Sequence, residues 1–419
     1  MRRSTLVRAL RWAAARLEGP ASIAPVPTSI AEIVPCHARE SGSDGARLNL
    51  LLPSINSRHY FGGIHTAVVL YREMLERFPR SRIILTDAAP EVDALQRFPD
   101  HVLVNLEEDD PAPRQIVAFN DRYARTLPLA MGDRWLSTAW WTAYGAQQLS
   151  AWQQDRYGIK GRSGYLIQDF EPGFYPWSSQ SFVALGTYRP DQDVAVFNTS
   201  QLSDYFDHCG IGFKNRFVFE PTLNEGLRRA LEAQIEAPFL RRKQILVYGR
   251  PSTPRNAFEL ICESLRIWAS TMPDATEWEI VSAGELKEDL DLGGVRIRAL
   301  GKLDIDAYGE LLSTASVGLS LMVSPHPSYP PLEMAAFGMG VVTNTFQNKN
   351  LESVFPGLRS ASTMSPAGIA ATLVAECEAA LARGLRPYEV ADFKHPFVSG
   401  QGVAAIASGL ASAMLRGEE

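Results

Sequence analysis

Apolar positions along this chain follow two alternating rhythms. Residues 48–53 (LNLLLP) form a continuous apolar run of strand length. After a polar, Gly-containing loop, Ile64, Ala67, Val68, Tyr71, Met74 and Leu75 recur at spacings of three and four, the period of a helix with one buried face. Residues 83–85 then give the next strand. Further short apolar runs follow at 102–104, 135–136, 165–167, 194–197 and 217–219, several of them separated by helical patterns. A charged helical stretch at 228–242 interrupts the series. A second series then begins, with strands at 245–248, 278–283, 295–300, 317–323 and 341–343 and a helix at 257–270. Alternation of this kind predicts a parallel sheet covered by helices on both faces, here built twice.

The pattern therefore divides the chain into an N-terminal basic helix and linker (1–35), a first α/β domain (36–235), a second (236–395), and a C-terminal helix (396–419) placed to cross back to the first domain. The linker, PASIAPVPTSIAEIVP, is rich in Pro, Ala and Ser. The opening segment, MRRSTLVRALRWAAARLEG, carries Arg2, Arg3, Arg8, Arg11 and Arg16 among Leu6, Leu10 and Trp12. It lacks the continuous apolar centre of a signal peptide. Two readings stay open: a basic amphipathic helix on an anionic membrane surface, or a solvated helix docked on protein.

Composition narrows the class. With 419 residues, 46% of them hydrophobic, two ordinary cores can form. The net charge of −6 counts against a nucleic-acid partner. Cys36, Cys209, Cys262 and Cys377 are scattered, which fits a reducing cytoplasm and suggests no zinc site. No apolar run reaches the ~20 residues of a membrane span. The expected location is cytoplasmic, including the inner face of the membrane, with no metal and no bound cofactor.

Candidate chemistry lies where the sheets' carboxyl ends are expected. Gly62 and Gly63 precede the first helix, where backbone N–H groups can approach a phosphate. Arg250 and Arg255 flank the junction after the strand at 245–248, a pair suited to a diphosphate. Lys302 and Leu303 follow the strand at 295–300. The segment VGLSLMVSPHPSYPPLEMAAFGMGVVTNT leads through a Pro-rich loop to a short helix. There Ser328 and Tyr329 can offer N–H groups to an anion, and Glu333 can accept from a ribose hydroxyl. In the first domain, YLIQDFEPGFYPW clusters Asp169 and Glu171 with aromatic rings, and Trp140, Trp141 and Tyr144 stand earlier. Rings pack on sugar C–H faces and acids bind hydroxyls, so these residues form the expected acceptor face.

Taken together, these residues resemble the GT-B enzymes of glycosyltransferase family 4, over residues 48–345. Gly62-Gly63 matches the family's Gly-Gly loop. Arg250 matches its Arg, and Arg255 stands where Lys is usual. PPLEMAAFG matches the end of its paired-glutamate signature, with Glu333 as the second acid and Pro325 in place of the first. QDFEPGFYP and SPHPSYPPLEMAAFG are most similar to bacterial rhamnosyltransferases of the WsaF type.

The resemblance implies two Rossmann-like domains facing across a cleft. It also implies metal-independent transfer of L-rhamnose from dTDP-rhamnose, with retention, onto a carbohydrate or lipid-linked surface glycan. Asp169 and Arg250 are then the expected catalytic residues. The donor site is expected at Gly62, Gly63, Arg250, Arg255, Lys302, Leu303, Ser328, Tyr329 and Glu333, and the acceptor site at Trp140, Trp141, Tyr144, Asp169 and Glu171. A nucleotide-sugar epimerase and a non-catalytic glycan-binding module remain alternatives on the same fold.

Overall fold

The computed structural model describes residues 30–60, 62–123, 125–159, 161–236 and 240–416. Met1–Val34 forms a small unit of its own, of which a 3-10 turn at Ala31–Ile33 is described. The expected N-terminal basic helix lies outside the described residues, as does Phe61 of the glycine loop. Everything below concerns the second unit, Pro35–Glu419.

Its first half contains β1 (His37–Glu40), β2 (Arg47–Leu52), β3 (Arg80–Leu85), β4 (Val102–Leu103), β5 (Arg114–Ala118), β6 (Thr126–Leu129), β7 (Asp133–Ser137), β8 (Gly164–Ile167), β9 (Val194–Asn198) and β10 (Asn215–Phe219). Eight of these form a parallel sheet in the order β10-β9-β8-β7-β2-β3-β5-β4, while β1 and β6 pair separately. The second half contains β11 (Arg242–Gly249), β12 (Glu279–Gly284), β13 (Leu290–Asp291), β14 (Arg296–Gly301), β15 (Ala315–Leu319), β16 (Gly340–Asn344) and β17 (Leu358–Ala361), in the order β13-β14-β12-β11-β15-β16-β17. Here β13 alone is antiparallel to its neighbour.

Each sheet reverses its winding beside its first strand: between β2 and β7 in one half, between β11 and β15 in the other. Loops leaving those strands diverge there and open a crevice at the carboxyl edge. The strands at the centre are apolar on both sides because helices cover both faces. Leu48, Leu50, Leu51 and Leu52 of β2 are all buried, as are Ile245, Leu246 and Val247 of β11.

Packing moves both expected domain boundaries. The helix Glu225–Glu236 was placed with the first domain, but its Leu227 and Leu231 pack with Leu246 and Leu312 of the second. The first passage between halves therefore follows β10, ahead of residue 235. Likewise Phe397 and Val398 of the turn Pro396–Ser399 still belong to the second core. The return comes after them. The helix Ala407–Leu415 inserts Leu410 and Met414 into the first core beside Leu48 and Val68. Two apolar stripes thus decide membership, not sequence proximity.

The apolar pattern also misses β1, β5, β6, β13 and β17, short strands in which charged or polar residues interrupt any apolar run. The strand expected at 317–323 stops at Leu319, and the remainder is loop. Among the described residues no helix is long and apolar enough to cross a membrane.

Candidate active site at the carboxyl edge

Five loops, those after β2, β8, β11, β14 and β15, meet where the two switch points face each other. The loop after β11 begins with Arg250, whose Nε donates to Glu285 Oε1 at 3.0 Å. Glu285 also accepts from the Ser252 N–H at 3.1 Å and the Ser252 hydroxyl at 2.6 Å. The loop is thus wrapped on one carboxylate, which orients the guanidinium. Lys302, after β14, is exposed and lies near Arg250. Partial burial and the neighbouring guanidinium both lower its ammonium pKa. Two cations are therefore held close to each other despite their repulsion. Leu303 packs against the second core.

The helix Tyr329–Ala336 starts from Ser328, which is buried and has φ 71°, a left-handed conformation strained for any residue but glycine. Pro330 and Pro331 sit in the first turn, where a missing N–H costs nothing. Glu333 is partly buried, and Tyr308 donates its hydroxyl to one carboxylate oxygen at 3.2 Å. Burial raises the Glu333 pKa to about 7, against the lowering effect of that hydrogen bond. Burial thus favours the protonated form of the acid expected to hold a ribose.

From the other half, the helix Gly63–Met74 starts at Gly62, with φ 46°. Gly63 has a packing reason as well as the expected ligand reason. A Cβ there would lie 2.8 Å from Gln168 Nε2, which donates to the Gly63 carbonyl at 3.1 Å. A side chain at 63 would push the Gln168 amide off this bond.

Asp169, one residue further, is the junction between the halves. Its Oδ1 accepts from the Phe170 N–H at 2.8 Å and from the Ser324 hydroxyl in the loop after β15. Its Oδ2 lies 3.4 Å from Arg255 Nε. Arg255 also lies over the Phe174 ring, 4.3 Å from its centroid. Arg255, expected on a phosphate, instead reaches across to the first half. Its own carbonyl accepts from Val323 N–H at 2.7 Å, which ties the two second-half loops together. Further bridges follow: Asn198 Nδ2 donates to the Tyr329 hydroxyl at 3.4 Å, and Asn348 Nδ2 to the Gln201 carbonyl at 2.8 Å.

The expected acceptor face separates into two groups. Trp141 is partly buried at the start of the helix Trp140–Tyr157 and donates Nε1 to Asp87 Oδ1 at 3.1 Å. Tyr144 is also partly buried on that helix. Trp140 and Glu171, expected to contact an acceptor, belong instead to the interior. Trp140 is fully buried and donates to the Tyr175 hydroxyl at 3.0 Å. Glu171 is 6% exposed and accepts from the Tyr165 hydroxyl at 2.9 Å. Burial pushes its carboxyl up to about 8, with the Tyr165 bond opposing. A neutral acid among tyrosines is the inexpensive way to bury a carboxyl.

Sequence reasoning missed Ser324, His326, Lys349 and Glu285. The first two stood in a segment already singled out, SPHPSYPP, but only its helix end was read. Lys349 and Glu285 lie in irregular loops without local pattern, so nothing in the chain order announced them. Lys349 is buried and donates to the Met322 carbonyl at 2.5 Å. Burial lowers its pKa to about 7, while Asp169 acts to raise it. Among the described residues no group of three or more His, Cys, Asp or Glu side chains is placed to hold a metal ion.

Known proteins resemble this chain in sequence and in fold. Residues 47–200 match the family model "WsaF, N-terminal domain" and residues 243–374 match "WsaF, C-terminal domain". A curated relative, the O-antigen biosynthesis protein RfbC of Myxococcus xanthus, is 30% identical over 290 residues, which is 68% of this chain and 21% of that protein. The chain thus spans about a fifth of that relative's length. Solved structures share the fold at low identity. E. coli trehalose-6-phosphate synthase, bound to UDP-2-fluoro glucose, superposes with a TM-score of 0.54 at 11% identity, covering 88% of this chain and 99% of that one. HepE of Anabaena with UDP-glucose gives 0.52 at 13% identity, covering 88% and 95%. WaaG, a glycosyltransferase of lipopolysaccharide biosynthesis, gives 0.50 at 12% identity, covering 88% and 99%.

Proposed function

Because the chain belongs to the WsaF-type glycosyltransferases and has their GT-B fold, we propose that it transfers a sugar from a nucleoside diphosphate to a glycan acceptor during assembly of a bacterial surface polysaccharide. The family membership and the O-antigen relative support this reading. The observation that carries it is the meeting, at two facing switch points, of paired cations with two helix N-termini. Arg250 and Lys302 stand together, and the helices from Gly62 and Ser328 begin beside the same crevice. Such a cradle neutralises the charge that develops on a leaving diphosphate.

The finer reading is L-rhamnose from dTDP-rhamnose, transferred with retention and without a metal. The leaving phosphate oxygen then takes the acceptor's proton, so no dedicated protein base is required. Arg250 and Lys302 hold the diphosphate, with Glu333 on the ribose and the N–H groups at Gly62, Gly63 and Tyr329 adding donors; the Ser328 N–H, expected among them, is instead given to His326 Nδ1 at 3.0 Å. Asp169 is placed to position the acceptor hydroxyl once Arg255 moves from it to the incoming phosphate. Trp141 and Tyr144 offer ring faces to the acceptor sugar.

The test is a mass-spectrometric product assay with dTDP-rhamnose, UDP-glucose and GDP-mannose, each with and without a rhamnose-containing oligosaccharide acceptor. Transfer from dTDP-rhamnose alone supports the full reading. Transfer from another donor replaces the sugar but keeps the activity. An isomerised sugar without acceptor converts the protein into an epimerase.

A further inference from the structure

The loop between β15 and the helix Tyr329–Ala336 holds a polar group that the machinery above does not use. His326 is 7% exposed and its Nδ1 accepts from the Ser328 N–H at 3.0 Å. An imidazole nitrogen that accepts carries no proton, so in the neutral ring the proton is on Nε2. That Nε2 is buried and has no hydrogen-bond partner in the protein. The loop around it is otherwise closely bonded. The His326 N–H donates to Ser324 Oγ at 3.0 Å, the Ser324 hydroxyl donates to Asp169, and the imidazole stacks on Tyr329 with ring centroids 6.0 Å apart. An unmet buried donor is costly, and natural proteins retain few of them. The strained φ of Ser328 in the same loop is a second, independent expense.

The position of this donor indicates its ligand. His326 lies between the helix N-terminus at Ser328, on the diphosphate side, and Asp169, on the acceptor side. In any transfer across the cleft, the sugar being moved occupies that interval. We propose that His326 Nε2–H donates a hydrogen bond to a hydroxyl oxygen of the transferred sugar, making His326 a donor-specificity residue. The inference rests on the cleft being a nucleotide-sugar site.

The ring is suited to a neutral partner. Burial lowers its pKa to about 4, with Lys349 and Arg255 adding to this and Asp169 opposing it, which favours the uncharged ring. The same loop geometry explains why histidine serves here: one nitrogen fixes the loop through Ser328, and the other is aimed by that bond.

Two variants separate the two nitrogens. H326N keeps an acceptor for the Ser328 N–H but removes the Nε2 donor, whereas H326Q places an amide N–H near the lost Nε2. Titration calorimetry with dTDP and with dTDP-L-rhamnose, and with UDP and UDP-glucose as a second pair, measures how much the sugar adds to nucleotide affinity. The expected result for H326N is unchanged affinity for the bare nucleotide and about a tenfold loss of the sugar's contribution, with partial recovery in H326Q. An unchanged sugar contribution in H326N overturns the proposal. So does an equal loss for nucleotide and nucleotide sugar, which assigns His326 to loop structure alone. If the wild-type protein binds none of the four probes, the reading of the cleft itself fails, and this inference with it.

Discussion

Asp133 and Asp169 belong to the same half of the molecule and each meets an arginine, yet their surroundings differ in every other respect. Asp133 opens β7 at the amino edge and is fully buried. It accepts from Arg47 Nε at 2.6 Å, from Arg47 Nη2 at 2.8 Å and from Asn49 at 3.0 Å, with Arg82 at 3.8 Å. All these partners lie on adjacent strands of one sheet. The arginines and Asn49 keep its carboxyl below the usual range, although burial pushes the other way. Asp169 follows β8 at the carboxyl edge, and two of its partners, Ser324 and Arg255, come from the other half. An ion cluster closed within one sheet has no route to exchange partners. One divided between halves exchanges them whenever the halves move or a ligand enters. The first arrangement builds the sheet, while the second is suited to a binding cycle.

The comparison predicts where damage falls. Asp133→Ala leaves two buried guanidinium groups without their carboxylate, and this should destabilise by about 3–5 kcal/mol. Urea unfolding is the measurement, and a loss below ~1 kcal/mol would make the amino-edge cluster no more structural than a surface pair. Asp169→Asn should leave the unfolding midpoint nearly unchanged while kcat/KM for transfer falls about 10²-fold. A variant that unfolds early but turns over normally would reverse the two roles.

Arg250→Met comes next. Removing one charge-assisted contact to the diphosphate should weaken nucleotide-sugar binding by about tenfold or more, by calorimetry. Arg255→Met should have a smaller effect on bare nucleotide, because this side chain is engaged by Asp169 and Phe174. Equal losses at the two positions would show that the cross-cleft bond does not compete with the ligand.

Glu171 tests the interior by pH rather than by truncation. Its folded pKa, about 8, lies above the ordinary carboxyl value, so its stabilising protonated form is fully present below the unfolded pKa. That contribution is lost as pH rises through about 8. Glu171→Gln keeps an acceptor for Tyr165 and cannot ionise. Its melting temperature relative to wild type should therefore increase steadily from pH 5 to pH 8. A flat difference across that range would mean the carboxyl is charged inside the protein.

Much of this architecture was legible from residue order. The central strands and the helix Gly63–Met74 announce themselves because their neighbours in sequence are also their neighbours in environment. Arg250 and Lys302 stand at the carboxyl edge for a related reason, since each directly follows a strand. The cases that failed share a cause. Trp140 and Trp141 are adjacent, with the same side chain, yet one is core and the other partly exposed with its indole on Asp87. Asp169 and Glu171 are two apart, yet one joins the halves and the other is sealed beneath Tyr165.

What residue order determined by itself was the alternation of strands and helices and hence two sheets with ligand loops at their carboxyl edges, because period and hydrophobicity are local properties. Which helix packs on which sheet, which carboxylate meets which arginine, and which histidine nitrogen is left to donate were decided only in three dimensions. Those outcomes depend on pairs such as Asp169 with Ser324, 155 residues apart, whose meeting no local pattern records.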